Sequence, residues 1–203
     1  MLVGAGSRRR RMAEVALLAG VLAGCSGGAE EESKTSTASS AADQKVAQSG
    51  GSIGAAGSAC ELPVTFDLAK KWTAESVDTP LPQGLVSLAC EIDAKPAGNI
   101  GYLRIWTGKP DGTDARTVLE SFLRDEDGVS KEKYSDFKTG GLSGVEVEYL
   151  YESELLDEKK TEHALAVVTP AGPVVVHLGG LDSEEHEEML PAYRLAKSTL
   201  RTA

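Results

Sequence analysis

Signatures of catalysis are scarce in this chain of 203 residues. Leu142-Ser143-Gly144 lacks the full Gly-x-Ser-x-Gly elbow of a serine hydrolase, and no histidine is tied to it by pattern. No glycine-rich phosphate loop with its lysine occurs. There are three histidines. His186 lies in Glu184-Glu185-His186-Glu187-Glu188, but Leu190 stands where a metalloprotease helix needs its second histidine. Asp125-Glu126-Asp127-Gly128 is no calcium loop. Aligning Gly128 with the invariant glycine puts Leu123 and Tyr134 at the first and last ligand positions. The acidic run reads as a solvated helix end, although acid there opposes the helix dipole. These absences predict no catalytic residue, no metal ligand set and no enzyme. Basic residues are also few, at 21 Lys and Arg against 31 Asp and Glu. That excess repels nucleic acid and anionic head groups; a cationic partner is the sharper alternative to plain solubility. The apolar run over residues 12–23 falls short of the roughly 20 residues that a spanning helix needs.

What the sequence does have begins at its amino end. Arg8 to Arg11, the apolar run and the small residues Ala23 and Gly24 form a secretory signal. Glu14 is a blemish in it. Leu22-Ala23-Gly24-Cys25 matches the bacterial lipobox at all four positions. That resemblance implies cleavage between Gly24 and Cys25. It also implies a diacylglyceryl group on the Cys25 sulfur, with an N-acyl chain such as palmitate as an option. Only a thiolate is nucleophilic enough for that thioether. Two chains on one residue meet the condition for stable anchoring. The protein is thus expected to face outside the cytoplasm on the cell membrane, with no other cofactor. Loss of residues 1–24, which carry four Arg and one Glu, takes the net charge from −10 to −13.

Residues 25–59 hold the lipidated cysteine and a Ser, Gly and Ala-rich stretch without aromatics. Such a composition cannot offset its ordering entropy, so a tether is expected. As a coil its 34 residues after Cys25 reach roughly 30–35 Å. With Cys25 acylated, Cys60 and Cys90 remain as a pair in a disulfide-permissive compartment. A bridge is expected, the alternative being two buried thiols. Cys60, Leu62, Val64 and Phe66 alternate, as do Val86, Leu88, Cys90 and Ile92. As antiparallel neighbours these strands would set Leu62 against Leu88 and Val64 against Val86.

One folded domain is predicted over 60–203. Strands are expected at Glu61–Phe66, Val86–Ala94 and Ile100–Thr107, with Trp72 plugging the sheet edge. Ala115, Val118, Leu119, Phe122 and Leu123 share one helical face, and Gly128 stops that helix. Strands follow at Tyr134–Thr139 and through the alternating Val145, Val147, Tyr149 and Tyr151. A hairpin, Glu162–Thr169 and Val174–Leu178, turns at Pro170-Ala171-Gly172-Pro173. A turn centred on Ala171-Gly172 sets His177 opposite Ala166 and His163 opposite Gly180. The two rings then lie on opposite faces, and a one-residue shift reverses this. Asp182 and Glu185 start a final helix, in which Pro191 makes a kink or a restart. The fold class is α+β: a mainly antiparallel sheet of about six to seven strands with helices packed on it.

Several of these features resemble the PsbP-like fold of extrinsic photosystem proteins, a Ran-binding protein and the LpqN-type lipoproteins of actinobacteria. They are the Val64–Trp72 opening, the Thr113–Gly128 helix, the long hairpin and the closing Pro191-Ala192-Tyr193…Lys197-Ser198…Leu200-Arg201 helix. The resemblance covers residues 60–203. It implies an α/β/α sandwich and a non-enzymatic binding or accessory role, and it carries over no site residue. The partners expected are the membrane, through the anchor, and an extracytoplasmic protein or small molecule, not nucleic acid. A second possibility is a carrier of an apolar or lipid ligand, in a pocket lined by Trp106, Phe122, Tyr149 and Tyr151.

Overall fold

The computed structural model describes residues 45–153 and 158–203. Gly24, Cys25 and most of the expected tether lie outside the described residues. The described chain belongs to one compact unit, Ala41–Ala203. Its large sheet is built from β3 (Thr73–Ser76), β4 (Pro82–Gln83), β5 (Val86–Asp93), β6 (Tyr102–Thr107), β7 (Val129–Thr139), β8 (Leu142–Ser153), β9 (Glu158–Thr169) and β10 (Gly172–Gly179). The order is β3-β5-β6-β10-β9-β8-β7, with β4 also on β5. A small sheet orders β1 (Ser49–Ile53), β2 (Val64–Ala69) and β11 (Arg201–Thr202) as β1-β2-β11. The paired strands in both are antiparallel. The class is therefore α+β as expected, with an eight-stranded sheet and a second sheet in place of six to seven strands.

Helix α1 (Ala115–Arg124) covers one face of the large sheet over β8, β9 and β10. Its N-cap is Asp114, whose side chain accepts from the Thr117 N–H at 3.1 Å. Val118, Leu119, Phe122 and Leu123 are buried against Val147, Ala164, Ala166 and Val175. Helix α2 (Ser183–Thr199) and the small sheet cover the other face, where Phe66, Met189 and Tyr193 meet Ile105, Leu165 and Val176. The chain leaves β6, crosses with α1 to the far edge, and returns through β7, β8 and β9. That path brings β10 back beside β6. Pro191 sits inside a continuous α2. It removes the bond to the carbonyl of Glu187, an exposed residue whose carbonyl water can serve.

Three expectations change. The domain starts before Cys60, because Ser49–Ile53 pairs with Ile53 opposite Phe66. This strand buries only Ile53 and is otherwise held by its backbone ladder, which leaves no side-chain pattern to read. Gly54 follows at φ +104°, and a Cβ there would sit 2.0 Å from the Val64 carbonyl oxygen. The expected neighbours β2 and β5 lie in different sheets. Finally, Val86, Leu88, Cys90 and Ile92 do not share a face. Leu88 pairs with Trp106 while Cys90 pairs with Ile105, so a bulge at Ala89 flips the strand. Val86 and Leu88 pack under α1; Cys90 and Ile92 pack on the opposite side.

That flip aims Cys90 at the small sheet. Cys60 and Cys90 are bridged, with Cα atoms 6.0 Å apart. The bond fastens one layer to the other across the core rather than joining adjacent strands. Replacing both cysteines by alanine should lower stability by about 3.5 kcal/mol for a loop of this length. Urea unfolding of the two forms measures it, and equal midpoints would refute it.

Candidate functional site

The two faces of the large sheet each bury histidine among polar groups. On the α1 side, the β8–β9 register sets Tyr149 opposite Glu162. The β9–β10 register sets His177 opposite Ala164, one step along the same face. Glu126 reaches the same point from the turn after α1. Gly128 shapes that turn at φ +81°, where a Cβ would come within 2.4 Å of the Glu152 carbonyl oxygen. The Tyr149 hydroxyl lies 3.0 Å from Glu126 Oε2, Glu162 Oε2 and His177 Nε2 alike. His177 Nε2 is 2.9 Å from Glu162 Oε2. Lys160 Nζ meets the other oxygen, Oε1, at 2.7 Å and also donates to the Gly180 carbonyl.

Glu162 is 2% exposed and Tyr149 1%. Burial alone would push the Glu162 carboxyl up. The charge and hydrogen bond of His177, with Lys160 beside it, outweigh burial and hold it at about 2. Burial raises the pKa of Glu126, whose partial exposure leaves it the outermost member of the cluster. Burial and the two carboxylates keep the Tyr149 phenol protonated well past its ordinary range. The acid at the end of α1 thus has work to do. Glu126 accepts from Tyr149, and Asp125 accepts from the Gly84 N–H at 2.8 Å.

On the α2 side, His163 and His186 stack with ring centroids 5.0 Å apart. His163 Nδ1 is 2.8 Å from His186 Nε2. His186 is fully buried, and its Nδ1 has no hydrogen-bond partner among the described residues. An unpartnered lone pair is cheaper to bury than an unpartnered N–H, so Nε2 carries the proton and donates to His163. Burial, and then the neighbouring His163, bring the His186 pKa down to about 3; burial also lowers that of His163.

His163 opens onto a groove of about 700 Å³ between α2 and the β7–β8 edge. Its apolar surface comes from Phe137, Leu190 and Tyr193. Lys133, Lys138, Arg194 and Lys197 line it as well. Lys133 pairs with Glu148 and Lys197 with Glu146. Lys138 and Arg194 have no ion-pair partner among the described residues.

The expected sites are distributed as follows. His163 and His177 do lie on opposite faces. The turn is Pro170-Ala171 with Thr169 opposite Gly172, and this moves every partner by two, which preserves the alternation. Neither ring is isolated, however, and His186 is buried rather than on a solvated first turn. Trp106, Phe122 and Tyr149 fill the core under α1 instead of lining an opening. Tyr151 is half-buried, with Lys160 Nζ 5.1 Å from its ring centre. The sequence reading places Glu126 only in a solvated helix end, and it singles out neither Lys160 nor Glu162 as a site residue. The available sign was Glu162 sharing a strand face with the buried Ala164 and Ala166.

A model of an uncharacterised lipoprotein family matches residues 30–200. The chain belongs to this family. The lipoprotein is accordingly membrane-associated through a lipid anchor, and no helix among the described residues is long and apolar enough to cross a membrane. Its fold is similar to the solution structure of cyanobacterial PsbP (CyanoP) from Synechocystis sp. PCC 6803. The identity is 11% and the TM-score 0.52, over 75% of this chain and 98% of that one. At that identity the likeness concerns fold alone. A search of curated proteins returns no match.

Proposed function

We propose that this lipoprotein is a non-enzymatic binding domain, anchored through Cys25 to the outer side of the cell membrane. Its layout of lipobox, tether and PsbP-like domain is that of the LpqN-type lipoproteins of actinobacteria. The groove beside α2 is its ligand site. It takes a small amphiphile with an anionic head, a carboxylate or phosphate, and an apolar body. One observation carries this reading. In a domain with excess acid, Arg194, a cation without an ion-pair partner among the described residues, overlooks the apolar floor of Phe137, Leu190 and Tyr193. The groove has a volume ordinary for small-molecule sites. The perturbed Glu162 and Tyr149 are buried under α1, away from the groove, which supports binding over catalysis.

The test uses the chain with Cys25→Ser, titrated by calorimetry with dodecyl phosphate and dodecyltrimethylammonium below their micelle concentrations. The phosphate should bind and the ammonium should not. Arg194→Glu should weaken the phosphate by about tenfold, roughly one lost charge-assisted bond. Equal binding of both amphiphiles, or indifference to Arg194→Glu, rejects the groove. The anchor is tested separately: Cys25→Ala should move the protein out of the membrane fraction, and unchanged partitioning rejects it.

A further inference from the structure

The groups gathered under α1 are not used by the groove, and they carry a function of their own. We propose that Glu126, Glu162 and His177 form a binding site for one divalent transition-metal ion of the kind that prefers nitrogen and oxygen ligands, with the Tyr149 hydroxyl as a third oxygen beside it.

The geometry is the first argument. One carboxylate oxygen of Glu126, one of Glu162 and one ring nitrogen of His177 all lie within 4.8 Å of one another. Zinc–ligand bonds to oxygen and nitrogen are about 2.0–2.2 Å, so tetrahedral ligands stand roughly 3.3 Å apart. The contacts among Tyr149, Glu162 and His177 are 2.9–3.0 Å. An opening of a few tenths of an ångström brings Tyr149, Glu162 and His177 to coordination spacing, and Glu126, 3.0 Å from Tyr149 and within 4.8 Å of the other two, completes the shell.

The ligand chemistry is the second. Two carboxylates neutralise a dication, and an imidazole selects zinc, iron, nickel or copper over magnesium and calcium. Without an ion, the Tyr149 hydroxyl meets three groups at 3.0 Å and has one proton to give.

Support is the third. Glu162, His177 and Tyr149 stand on three adjacent strands of the sheet, the rigid setting that metal sites require. Lys160 holds Glu162 by Oε1 and leaves Oε2 turned to His177 and Tyr149. Glu126, on its glycine-shaped turn and partly exposed, is the side from which an ion enters. The histidines on the other face do not compete on geometry. His163 and His186 meet each other, with Glu148 3.7 Å from His163.

The test takes the detergent-solubilised full chain, stripped with a chelator and dialysed against zinc. About one zinc per chain should remain. Glu126→Gln should weaken it by about tenfold or more, with the melting temperature of the stripped protein unchanged, since this residue lies at the cluster's edge. His177→Gln should abolish retention, and His163→Gln should leave it intact. No retained zinc overturns the proposal. So does retention that Glu126→Gln leaves undiminished, or that is lost with His163→Gln. Cobalt gives an independent reading: visible absorbance bands that vanish in Glu126→Gln support the site, and bands unchanged in that variant refute it.

Discussion

Glu162→Ala should cost the metal-stripped protein about 3–5 kcal/mol of stability, the range for breaking a buried ion pair by removing one partner. The carboxylate serves three groups at once: Lys160 on Oε1, and His177 and Tyr149 on Oε2. Its removal strands a lysine ammonium whose side chain is 15% exposed and a histidine whose side chain is 7% exposed. Glu162→Gln keeps the volume and loses the charge, so it should cost less. Lys160→Met in the Glu162→Ala background should recover part of the loss, because the orphaned charge goes with it. Acid should reproduce the effect. The folded state holds this carboxyl at about 2 against an ordinary 4.5. The unfolded chain therefore takes the proton first as pH falls. The stabilisation is complete above about pH 4.5 and drains away towards pH 2. Urea unfolding of parent and Glu162→Gln at several pH values checks this. A difference that stays constant between pH 6 and pH 3 contradicts it.

How much of this could be read from residues alone depends on where each signal lives. Helix α1 was legible because its apolar face and the closing turn at Gly128 point the same way. The β9–β10 hairpin was legible for the same reason, and a turn placed one residue too far along, which shifts every partner by two, left each histidine on the correct face. The strand β1 was not, because it is held by backbone bonds and by Ile53 alone. Nor was the bulge at Ala89, since period-two alternation continues unbroken through Leu88 and Cys90 while the strand turns over. The Cys60–Cys90 bond was anticipated by counting thiols, and its geometry was not, because the bulge decides which layer Cys90 faces. The cluster under α1 is non-local. Glu126, Tyr149, Glu162 and His177 come from four segments, and only the strand order brings them together. The groove combines residues of β7, β8 and α2 in the same way.

The second large effect is an acid sensitivity set at His186. This ring is fully buried, and its pKa of about 3 lies far under its ordinary 6.5. The unfolded chain gains a proton here once the pH drops below about 6.5, while the folded state refuses it until about 3. Stability from this group is therefore complete above pH 6.5 and declines as pH falls to 3. One proton gives a slope of at most about 1.4 kcal/mol per pH unit, hence about 2 kcal/mol lost by pH 5. The groups that face His186 do not reverse the sign. A charge on His163 opposes protonation, as do His177 and Lys160, and Glu162 favours it less than burial forbids it. His186→Leu removes the titration. It gives up one hydrogen bond to His163 and buries apolar surface in its place, so at pH 8 the two proteins should differ by about 1 kcal/mol or less. At pH 5 the variant should be the more stable. Chemical unfolding from pH 8 to pH 4.5 gives the two curves, and their crossing is the prediction; parallel curves would place the ring's charge change elsewhere. Because His163 lies between this buried ring and the groove, the same measurement with dodecyl phosphate present reads the coupling between the two. A ligand that draws charge onto His163 gives the folded state a proton that the unfolded chain also takes, so it should flatten the parent's decline, and the His186→Leu curve should flatten with it.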